Sequence, residues 1–582
     1  MSVVHATDPE CAMSVVHATD KVWLPSYDEG VPATLEYPSV PLHSLLDDAA
    51  RRHPDAVATI FGGVVGGRLL DAKLTYGELS RLADRFAAGL QSLGVAKGDR
   101  VALMLPNCPQ FVIAFYGALR AGAVIVPVNP LYTTPELRGQ LANSGAETLV
   151  VLSRLYPVAR EALGGTAVKR LVVTNIKEHF PPLLRWLFTI ARERKEGHRV
   201  DLRGDERAVR FSELLRRGEQ PRPVAVVPAD LAVLQYTGGT TGTPKGAMLS
   251  HRALVANVLQ CRAWHRPEDR EVGLAIMPFF HVYGLTVVMN LGIACAGTLV
   301  LIPRFDLRHI LLAIVKHRPK TFAGAPRIYV AISAAPDLAK YDLRSIDAFV
   351  SGSAPLPLEV QERFERLTGG KVVEGYGLTE AAPVTHSNPR RGKRKLGSIG
   401  LPYPDIDARI VDLETGTRDL PHGEVGELLV RGPNLMDGYY RNPDETAQVL
   451  REGWLYTGDM ARMDDEGYFF IVDRKKELII VSGYNVYPRE VDEVLFSHPA
   501  VLEAAAIGIP HPEKGEVVKA FVVLRPGLSV TAEELIAHCR LSLAPFKVPV
   551  AIAFRAELPK SLIGKVLRRQ LAEEERAAAA SR

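Results

Sequence analysis

The sequence lacks a strong excess of charge of either sign. Its 582 residues include 70 Lys and Arg against 66 Asp and Glu, which gives a formal net charge of +4 at pH 7. So small an excess over this length gives no indication of a nucleic-acid partner. Hydrophobic residues make up 47% and charged residues 23% of the chain, an ordinary balance for a soluble protein. Because one hydrophobic core rarely exceeds about 300 residues, we expect several domains or subdomains.

Cysteine is also scarce, and its spacing excludes two common uses. The five cysteines are far apart and form neither a C-x-x-C pair nor a Cys/His metal pattern: Cys11, Cys108, Cys261, Cys295 and Cys539. The sequence therefore predicts reduced, mostly buried thiols of a cytoplasmic protein, and neither a disulfide framework nor a zinc site. The N-terminus lacks a basic segment followed by an apolar run, so no secretory signal is expected.

One long segment lacks charge altogether. Residues 276–303 contain no Asp, Glu, Lys or Arg, and such a run is long enough for a transmembrane helix. His281, Asn290 and three glycines interrupt it, and AGT at 296–298 has the composition of a turn. We therefore predict a buried helix followed by the strand TLVLI, and not a membrane span.

Hydrophobic periodicity indicates alternating helices and strands over much of the chain. Four consecutive stretches have the patterns of a helix, a strand, a helix and a strand: 75–95, 100–106, 109–123 and 124–129. This succession predicts parallel α/β sheets. After about residue 400, short segments divided by Gly and Pro predict a smaller antiparallel unit. Near the C-terminus, Thr531 and Glu534 have the spacing of a helix capping box.

These patterns predict an α/β multi-domain protein. A large N-terminal domain of two α/β subdomains plus a small antiparallel β unit would span 41–472. A charged hinge would follow at 473–476, and a small α+β C-terminal domain would occupy 477–582. Residues 1–40 would form an N-terminal extension, in which MSVVHATD occurs twice as if by a start-site artefact.

Segment 179–195, HFPPLLRWLFTIARERK, allows two interpretations. It combines several leucines, Trp186 and Phe188 with a basic end, so an amphipathic helix is expected. The helix would either pack on the protein itself or lie on an anionic membrane surface, and the first interpretation is favoured. A peripheral contact with the inner membrane face and an oligomeric state both stay open.

A glycine-rich loop, YTGGTTGTPKG at 236–246, carries the first chemical signal. Glycines let backbone N–H groups approach an anion closely, and Lys245 adds a positive charge. The loop nevertheless lacks the P-loop pattern G-x-x-x-x-G-K-[ST], because Pro244 stands where the second Gly belongs and Gly246 follows the lysine. The loop therefore predicts a phosphate site of another kind.

Four further stretches follow this loop at wide spacing: EGYGLTE at 374–380, YTGD at 456–459, DRKKE at 473–477 and PKSLIGK at 559–565. Each alone has an ordinary structural explanation, such as a turn, a helix cap or a solvated charge run. Together, and in this order, they closely resemble the adenylate-forming (AMP-binding) superfamily of acyl-CoA synthetases and acyl-AMP ligases. The resemblance extends from about residue 40 to 571 and is closest to bacterial long-chain fatty-acid–CoA ligases.

The resemblance implies roles for particular residues. Lys565, Thr379, Glu380 and His281 would be catalytic, with Lys565 neutralising the charge that develops between the carboxylate and the α-phosphate. Glu380 and Thr240 would hold Mg²⁺, an ion that prefers oxygen ligands. The residues implied in ATP or AMP binding are Thr237, Gly238, Gly239, Thr240, Thr241, Gly242, Lys245, Gly352, Ser353, Ala354, Glu374, Gly375, Tyr376, Gly377, Asp459, Ile471 and Arg474.

The resemblance also implies two half-reactions. A carboxylate is joined to the α-phosphate of ATP with release of pyrophosphate, and the thiol of coenzyme A (CoA) then displaces AMP. A hinge at Lys476 would let the small domain rotate between these steps, and Gly483 would line the route of the CoA thiol. Tyr376 would stack on adenine, and Asp459 would accept hydrogen bonds from the ribose hydroxyls.

The resemblance implies a medium- to long-chain fatty acid as substrate, with ATP and CoA. PFFHVYG at 278–284 would lie beside the acyl site, and apolar residues that suit an aliphatic tunnel or a plain core follow it: Leu285, Val287, Val288 and Met289. Alternatives are an acyl-AMP ligase that serves a carrier protein and a 4-coumarate-type aryl–CoA ligase. From other classes, a P-loop ATPase would release ADP, and a non-catalytic membrane-binding protein would not need Lys565.

Overall fold

The computed structural model of the chain describes residues 21–237, 245–482, 484–561 and 565–580. Within these residues the strands form four sheets, of nine, seven, five and five strands. The duplicated N-terminal octapeptide, most of the glycine-rich loop, Gly483 and 562–564 lie outside the described residues.

The nine-stranded sheet has a parallel centre and antiparallel edges. Its strands lie in the order Leu401–Pro402, Val384–Ser387, Val372–Gly377, Ala348–Ser351, Thr321–Gly324, Val272–Ala275, Thr298–Leu301, Val57–Val65 and Arg68–Thr75. The central six strands pair in parallel, and the outer three pairs are antiparallel. Parallel neighbours need long crossovers, and helices supply most of them.

The seven-stranded sheet is parallel except at one edge. Its order is Ala208–Arg210, Arg170–Thr174, Thr148–Leu152, Arg100–Met104, Val124–Pro127, Leu231–Thr237 and Lys245–Ser250. Only the last pair is antiparallel within the described residues. That pair carries Thr237 and Lys245 opposite each other, at the two ends of the glycine-rich loop.

Most of the helices accompany these two sheets. Their bounds are Ser44–Arg52, Tyr76–Ser92, Pro109–Arg120, Thr134–Ser144, Tyr156–Ala162, Pro182–Ala191, Phe211–Leu214, His251–His265, Leu291–Ala294, Leu307–His317, Pro326–Ser333 and Leu358–Thr368. Helix Pro443–Val449 instead contacts the strands Leu450–Arg451 and Trp454–Met463 of a smaller sheet. A π-helical stretch, Gly284–Asn290, precedes Leu291–Ala294. The predicted helix, strand, helix and strand between 75 and 129 are confirmed as Tyr76–Ser92, Arg100–Met104, Pro109–Arg120 and Val124–Pro127.

The two smaller sheets are formed by residues that follow the nine-stranded sheet, from Asp407 onward. An antiparallel sheet contains Asp407–Val411, Gly426–Arg431, Trp454–Met463, Leu450–Arg451 and Phe469–Arg474. The C-terminal sheet contains Tyr484–Val486, Ile479–Val481, Gly515–Leu524, Val501–His511 and Ala551–Phe554, with helices Pro488–Phe496, Ala532–Arg540 and Arg568–Ala580. The capping box is confirmed, because the Glu534 N–H donates to Thr531 Oγ1 at 3.2 Å and the Thr531 N–H donates to Glu534 Oε2 at 2.8 Å.

The predicted fold class, a large α/β part with an antiparallel unit and a small α+β C-terminal part, is confirmed. The largest hydrophobic cluster joins residues of both large sheets, whereas two separate clusters stabilise the C-terminal part. The domain boundaries at 472 and 476 and the rotation of the C-terminal part stay predictions.

The uncharged segment 276–303 is buried inside the large part. It forms the π-helical stretch Gly284–Asn290, a short helix and the strand Thr298–Leu301, as the turn at 296–298 predicts. Among the described residues, no helix is long and apolar enough to cross a membrane.

Candidate active site

A cavity of about 1230 Å³ lies at the carboxyl ends of the parallel strands, where open α/β sheets bind ligands. Residues from all five sequence motifs line it, although the first motif and the last lie more than three hundred residues apart in the sequence. The predicted site residues in this lining are Thr237, Lys245, His281, Gly352, Ser353, Gly375, Tyr376, Gly377, Thr379, Glu380, Arg474, Lys476 and Lys565. Folding therefore brings most of the predicted set together.

Other predicted residues do not line this cavity or are not described. Ala354, Glu374, Asp459 and Ile471 are absent from its lining among the described residues. The Glu374 side chain is buried, its Oε1 accepts the Leu356 N–H at 3.3 Å, and burial raises its pKa to about 7. The remaining members lie outside the described residues: Gly238, Gly239, Thr240, Thr241, Gly242 and Gly483.

Asp459 is held between two other predicted residues. The antiparallel pairing of Trp454–Met463 with Phe469–Arg474 places Asp459 opposite Arg474. Arg474 Nε lies 3.0 Å from Asp459 Oδ1, and the Tyr376 hydroxyl donates to Asp459 Oδ2 at 2.6 Å. The charge of Asp459 raises the pKa of Arg474, and burial together with that charge raises the pKa of Tyr376. Arg474 therefore stays cationic and Tyr376 neutral at the cavity wall.

Two hydrogen bonds join Lys565 to Ser561. The Ser561 N–H donates to the Lys565 carbonyl at 2.7 Å, and the Lys565 N–H donates to Ser561 Oγ at 3.1 Å. Three residues later, Arg568 forms ion pairs with Asp492 and with Glu477 Oε2, the latter at 3.1 Å. Arg568, three residues after Lys565, thus contacts the short helix Lys475–Glu477, which contains the predicted hinge residue Lys476.

Lys565 has an unusual acid–base environment. Burial, followed by the positive charge of Arg474, lowers the pKa of the Lys565 ammonium to about 8. The nearby carboxylates of Asp459 and Glu477 oppose this shift but do not cancel it. A desolvated ammonium interacts strongly with an incoming anion, so this cation is well placed to stabilise negative charge in the cavity.

His281 is a neutral hydrogen-bonding group at another part of the wall. Burial lowers the pKa of His281 to about 4, so the imidazole is uncharged near pH 7. Its Nδ1 accepts the Tyr283 N–H at 3.3 Å, which leaves the proton of the neutral ring on Nε2. The Nε2–H of the His281 ring can therefore donate one hydrogen bond to a carboxylate ligand.

Glu380 and Lys245 both contact Tyr439, at the end of the cavity beside the glycine-rich loop. Thr379 and Glu380 belong to the short helix Thr379–Ala381, and the Tyr439 hydroxyl donates to Glu380 Oε1 at 2.7 Å. Lys245 Nζ lies 5.6 Å from the centre of the Tyr439 ring and forms an ion pair with Glu445. The described residues contain no group of three or more side chains that could hold a metal without a ligand's help.

The wall beyond His281 is mainly apolar. Val282, Tyr283 and Val287 line the cavity there. Of the four apolar residues considered for an aliphatic tunnel, Val287 reaches the cavity, whereas the others belong to the hydrophobic core: Leu285, Val288 and Met289. Of the two interpretations of this apolar stretch, a tunnel wall or a plain core, the core interpretation therefore holds for Leu285, Val288 and Met289.

Sequence reasoning missed Tyr439, Glu445 and Arg568. Tyr439 and Glu445 belong to YYRNPDETA, whose Asn442 caps a helix, and a polar cap beside two tyrosines is a weak local signal. Their contacts with Lys245 and Glu380 join residues 59 and 200 positions apart, which no local pattern reveals. Arg568 lies beside the lysine motif and was readable only as part of a basic helix.

Comparisons with known proteins agree with this geometry. The family model described as AMP-binding enzyme matches residues 46–440, and that of the AMP-binding enzyme C-terminal domain matches 490–565. The chain belongs to the AMP-binding enzyme family. The predicted superfamily and enzyme class, a ligase that uses ATP, are thereby confirmed. ATP and CoA are substrates of the ligases in this family.

Individual members of the AMP-binding family are similar over almost the whole chain. Long-chain-fatty-acid–CoA ligase of Bacillus subtilis (strain 168) is 46% identical over 564 residues, which cover 96% of this chain and 98% of that protein. Long-chain-fatty-acid–CoA ligase of Yersinia pestis is 40% identical over 569 residues, with 96% and 98% coverage. The crystal structure of the anthranilate CoA ligase AuaEII in complex with anthranoyl-AMP superposes with a TM-score of 0.82 at 26% identity, covering 94% and 99% of the two chains.

Proposed function

We propose that this chain activates a medium- to long-chain fatty acid and transfers it to CoA. In the first step a carboxylate oxygen attacks the α-phosphorus of ATP, the bond to the bridging oxygen breaks, and pyrophosphate leaves. In the second step the CoA thiolate attacks the acyl carbonyl and AMP leaves. Both steps concentrate negative charge, so catalysis depends on positioned cations and hydrogen-bond donors.

One observation carries this proposal: Lys565 shares a cavity with Thr379, His281 and Arg474. A partly desolvated ammonium in the same cavity as a neutral histidine suits a carboxylate that must approach a phosphate without being protonated. In this arrangement Lys565 offsets the charge that develops between the acid and the α-phosphate, and His281 donates to the carboxylate.

The nucleotide would occupy the rest of the cavity. Tyr376 and Gly375 would form one side of the adenine site, and the Asp459–Arg474 pair would fix the ribose. In the structure both carboxylate oxygens of Asp459 already have partners, so ribose hydroxyls would bind beside Tyr376 and Arg474 or displace one of them. The β- and γ-phosphates would lie at Thr237 and Lys245.

Mg²⁺ is the metal we propose for this site. Proteins commonly hold Mg²⁺ through one or two carboxylates while substrate phosphates and water supply the other ligands. Glu380 fits this pattern, because its carboxylate lines the cavity and is oriented by Tyr439. When bound, the ion would neutralise phosphate charge during pyrophosphate release.

The proposed acid rests on the named relatives. The two similar bacterial proteins are called long-chain-fatty-acid–CoA ligases, and the apolar wall at Val282, Tyr283 and Val287 suits an alkyl chain. An aryl acid is the main rival, since the similar anthranilate ligase has an aryl substrate. An acyl-AMP ligase that serves a carrier protein is the second rival.

The test is acid-dependent exchange of pyrophosphate into ATP over a panel of acids. Octanoate, dodecanoate, hexadecanoate and 4-coumarate would be compared, followed by CoA addition to the enzyme with preformed acyl-AMP. We expect the longer alkyl acids to give the highest kcat/KM and CoA to consume the acyl-AMP. Preference for 4-coumarate would favour the aryl rival, and stable acyl-AMP in the presence of CoA would favour the carrier-protein rival.

We further propose that helix Pro182–Ala191 contacts an anionic membrane surface. Leu184 and Phe188 are buried, whereas Leu183, Trp186 and Ile190 are 57%, 59% and 63% exposed and lie along one helix face. Exposed basic side chains flank this apolar stripe: Arg185, Arg192, Arg194 and Lys195. An apolar face with tryptophan between basic residues fits the headgroup region of an anionic bilayer.

Vesicle flotation tests this contact. The protein should float with phosphatidylglycerol vesicles and much less with phosphatidylcholine vesicles. Replacing Leu183, Trp186 and Ile190 together by Ser should abolish flotation, whereas Leu541→Ser, which removes an even more exposed leucine elsewhere, should not. Unchanged flotation of the triple variant would contradict the proposal. Failure of the wild-type protein to float because it self-associates would contradict it as well.

A further inference from the structure

The cation of the proposed phosphate site is already neutralised by the protein. Lys245 begins the strand Lys245–Ser250, and its side chain is only 12% exposed. Its ammonium forms an ion pair with Glu445, and both residues line the cavity. An arriving anion therefore meets a lysine that already has a carboxylate partner.

The fold holds Glu445 at this position through a short bridge. The Met248 N–H donates to the Gly438 carbonyl at 2.9 Å, and the Tyr440 N–H donates to the Gly246 carbonyl at 2.8 Å. These bonds fix residues 438–440 alongside the strand that Lys245 begins. Helix Pro443–Val449 follows, capped by Asn442, and presents Glu445 in its first turn.

The charges at this end of the cavity do not favour a polyphosphate. Lys245 brings one positive charge to this cluster, while Glu380 and Glu445 bring two carboxylates, which contact Tyr439 and Lys245 respectively. Like charges disfavour each other at short range, so pyrophosphate and Glu445 compete for one ammonium. Mg²⁺ at Glu380 would relieve only part of this repulsion.

We propose that Glu445 is a positioning residue that exchanges with pyrophosphate on Lys245. When ATP binds, its terminal phosphates displace the Glu445 carboxylate, and after adenylation Glu445 returns to Lys245 and favours pyrophosphate release. The inference rests on the proposed function, because it assumes that Lys245 contacts the terminal phosphates. It adds that Glu445 weakens binding of the β- and γ-phosphates specifically.

Calorimetric binding of magnesium pyrophosphate and of AMP tests the exchange. For Glu445→Gln we expect the pyrophosphate dissociation constant to fall about fivefold, the scale of one partly buried ion pair, while the AMP dissociation constant stays unchanged. The KM for ATP should fall in parallel, and inhibition by pyrophosphate should strengthen. Asp444→Asn is the matched control, since it removes the same charge from an exposed neighbour in the same helix turn.

A second comparison tests whether the effect of Glu445→Gln depends on its ion pair with Lys245. In a Lys245→Ala background, Glu445→Gln should no longer tighten pyrophosphate binding, because the shared ammonium is gone. Unchanged or weaker pyrophosphate binding in Glu445→Gln would overturn the exchange, and so would an equal shift for AMP. Acid-dependent ATP–pyrophosphate exchange in the wild type distinguishes failure of this inference from failure of the proposed function. Absence of exchange contradicts the proposed function. If exchange is present but Glu445→Gln does not change the pyrophosphate dissociation constant selectively, only the role of Glu445 is contradicted.

Discussion

At the scale of single residues, the ammonium of Lys565 is the group on which acid activation depends most. Lys565→Ala should lower the rate of ATP–pyrophosphate exchange about 10²- to 10³-fold, as expected when one donor to developing charge is removed. Transfer of the acyl group from supplied acyl-AMP to CoA should persist. Lys547→Ala, which removes a lysine paired with Glu490 in the same part of the chain, should leave both rates near wild type. Equal loss of both half-reactions would contradict this division.

The pH dependence of adenylation should report the same group. The pKa of Lys565 is lowered to about 8, so its ammonium is present below that pH and is lost as the pH rises through it. We therefore expect kcat/KM for adenylation to decline above about pH 8. Lys565→Arg should lose this alkaline limb, because a guanidinium stays charged. An identical limb in the arginine variant would assign the ionisation to another group.

Tyr376 should contribute through its hydroxyl as well as its ring. Tyr376→Phe keeps the ring but removes the donor to Asp459 Oδ2. Hydrogen bonds to charged groups contribute about 1.5–3 kcal/mol, so the KM for ATP should rise about tenfold or more while kcat changes little. Steady-state kinetics with saturating acid measures this effect. A KM equal to that of the wild type would show that Asp459 does not need this partner.

Some residues of the candidate site could be predicted from the sequence alone, and others could not. Lys565, Thr379, Arg474 and His281 were predicted from motifs, and the structure brings them to one cavity. The Lys245–Glu445 pair was not predicted, since a helix cap near 442 says nothing about a lysine two hundred residues earlier. Side-chain contacts at such separation depend on sheet pairing and cannot be read from local patterns.

At the scale of elements, the strand that ends at Gly377 lies close to its neighbour. A Cβ at Gly377 would lie 2.1 Å from the Pro383 carbonyl oxygen, so Gly377→Ala must separate the two segments. We expect a loss of about 1–3 kcal/mol in the free energy of unfolding and weaker ATP binding. Gly139→Ala, in helix Thr134–Ser144 with no atom within 4 Å, should instead stabilise the protein slightly. Denaturant unfolding of both variants checks this contrast.

Elements with strong periodicity were predictable, and others were not. The amphipathic stripe of Tyr76–Ser92 and the apolar strand Thr298–Leu301 follow from hydrophobic pattern. Segment 179–195 forms the expected helix, but its pattern could not show which apolar residues face solvent, because both sides carry leucines. That distribution is set by the neighbouring sheet.

At the scale of the whole molecule, the cavity is built by both parts of the chain. Lys565 belongs to the C-terminal part, whereas Thr379 and His281 belong to the large part. The Arg525–Glu359 ion pair, with a 3.1 Å Nη2–Oε1 distance, also joins the two parts. The motif order predicted that residues of both parts would meet at one site. The sequence alone could not show the arrangement of the two parts that places Lys565 inside the cavity.

The most direct test of the central claim is identification of the nucleotide product. Enzyme, ATP, magnesium, a long-chain fatty acid and CoA would be incubated, and the nucleotides and phosphates would be separated. We predict AMP and pyrophosphate in equal amounts, dependent on the acid, with acyl-CoA formed in step. Formation of ADP and inorganic phosphate, with no AMP, would contradict an adenylate-forming ligase.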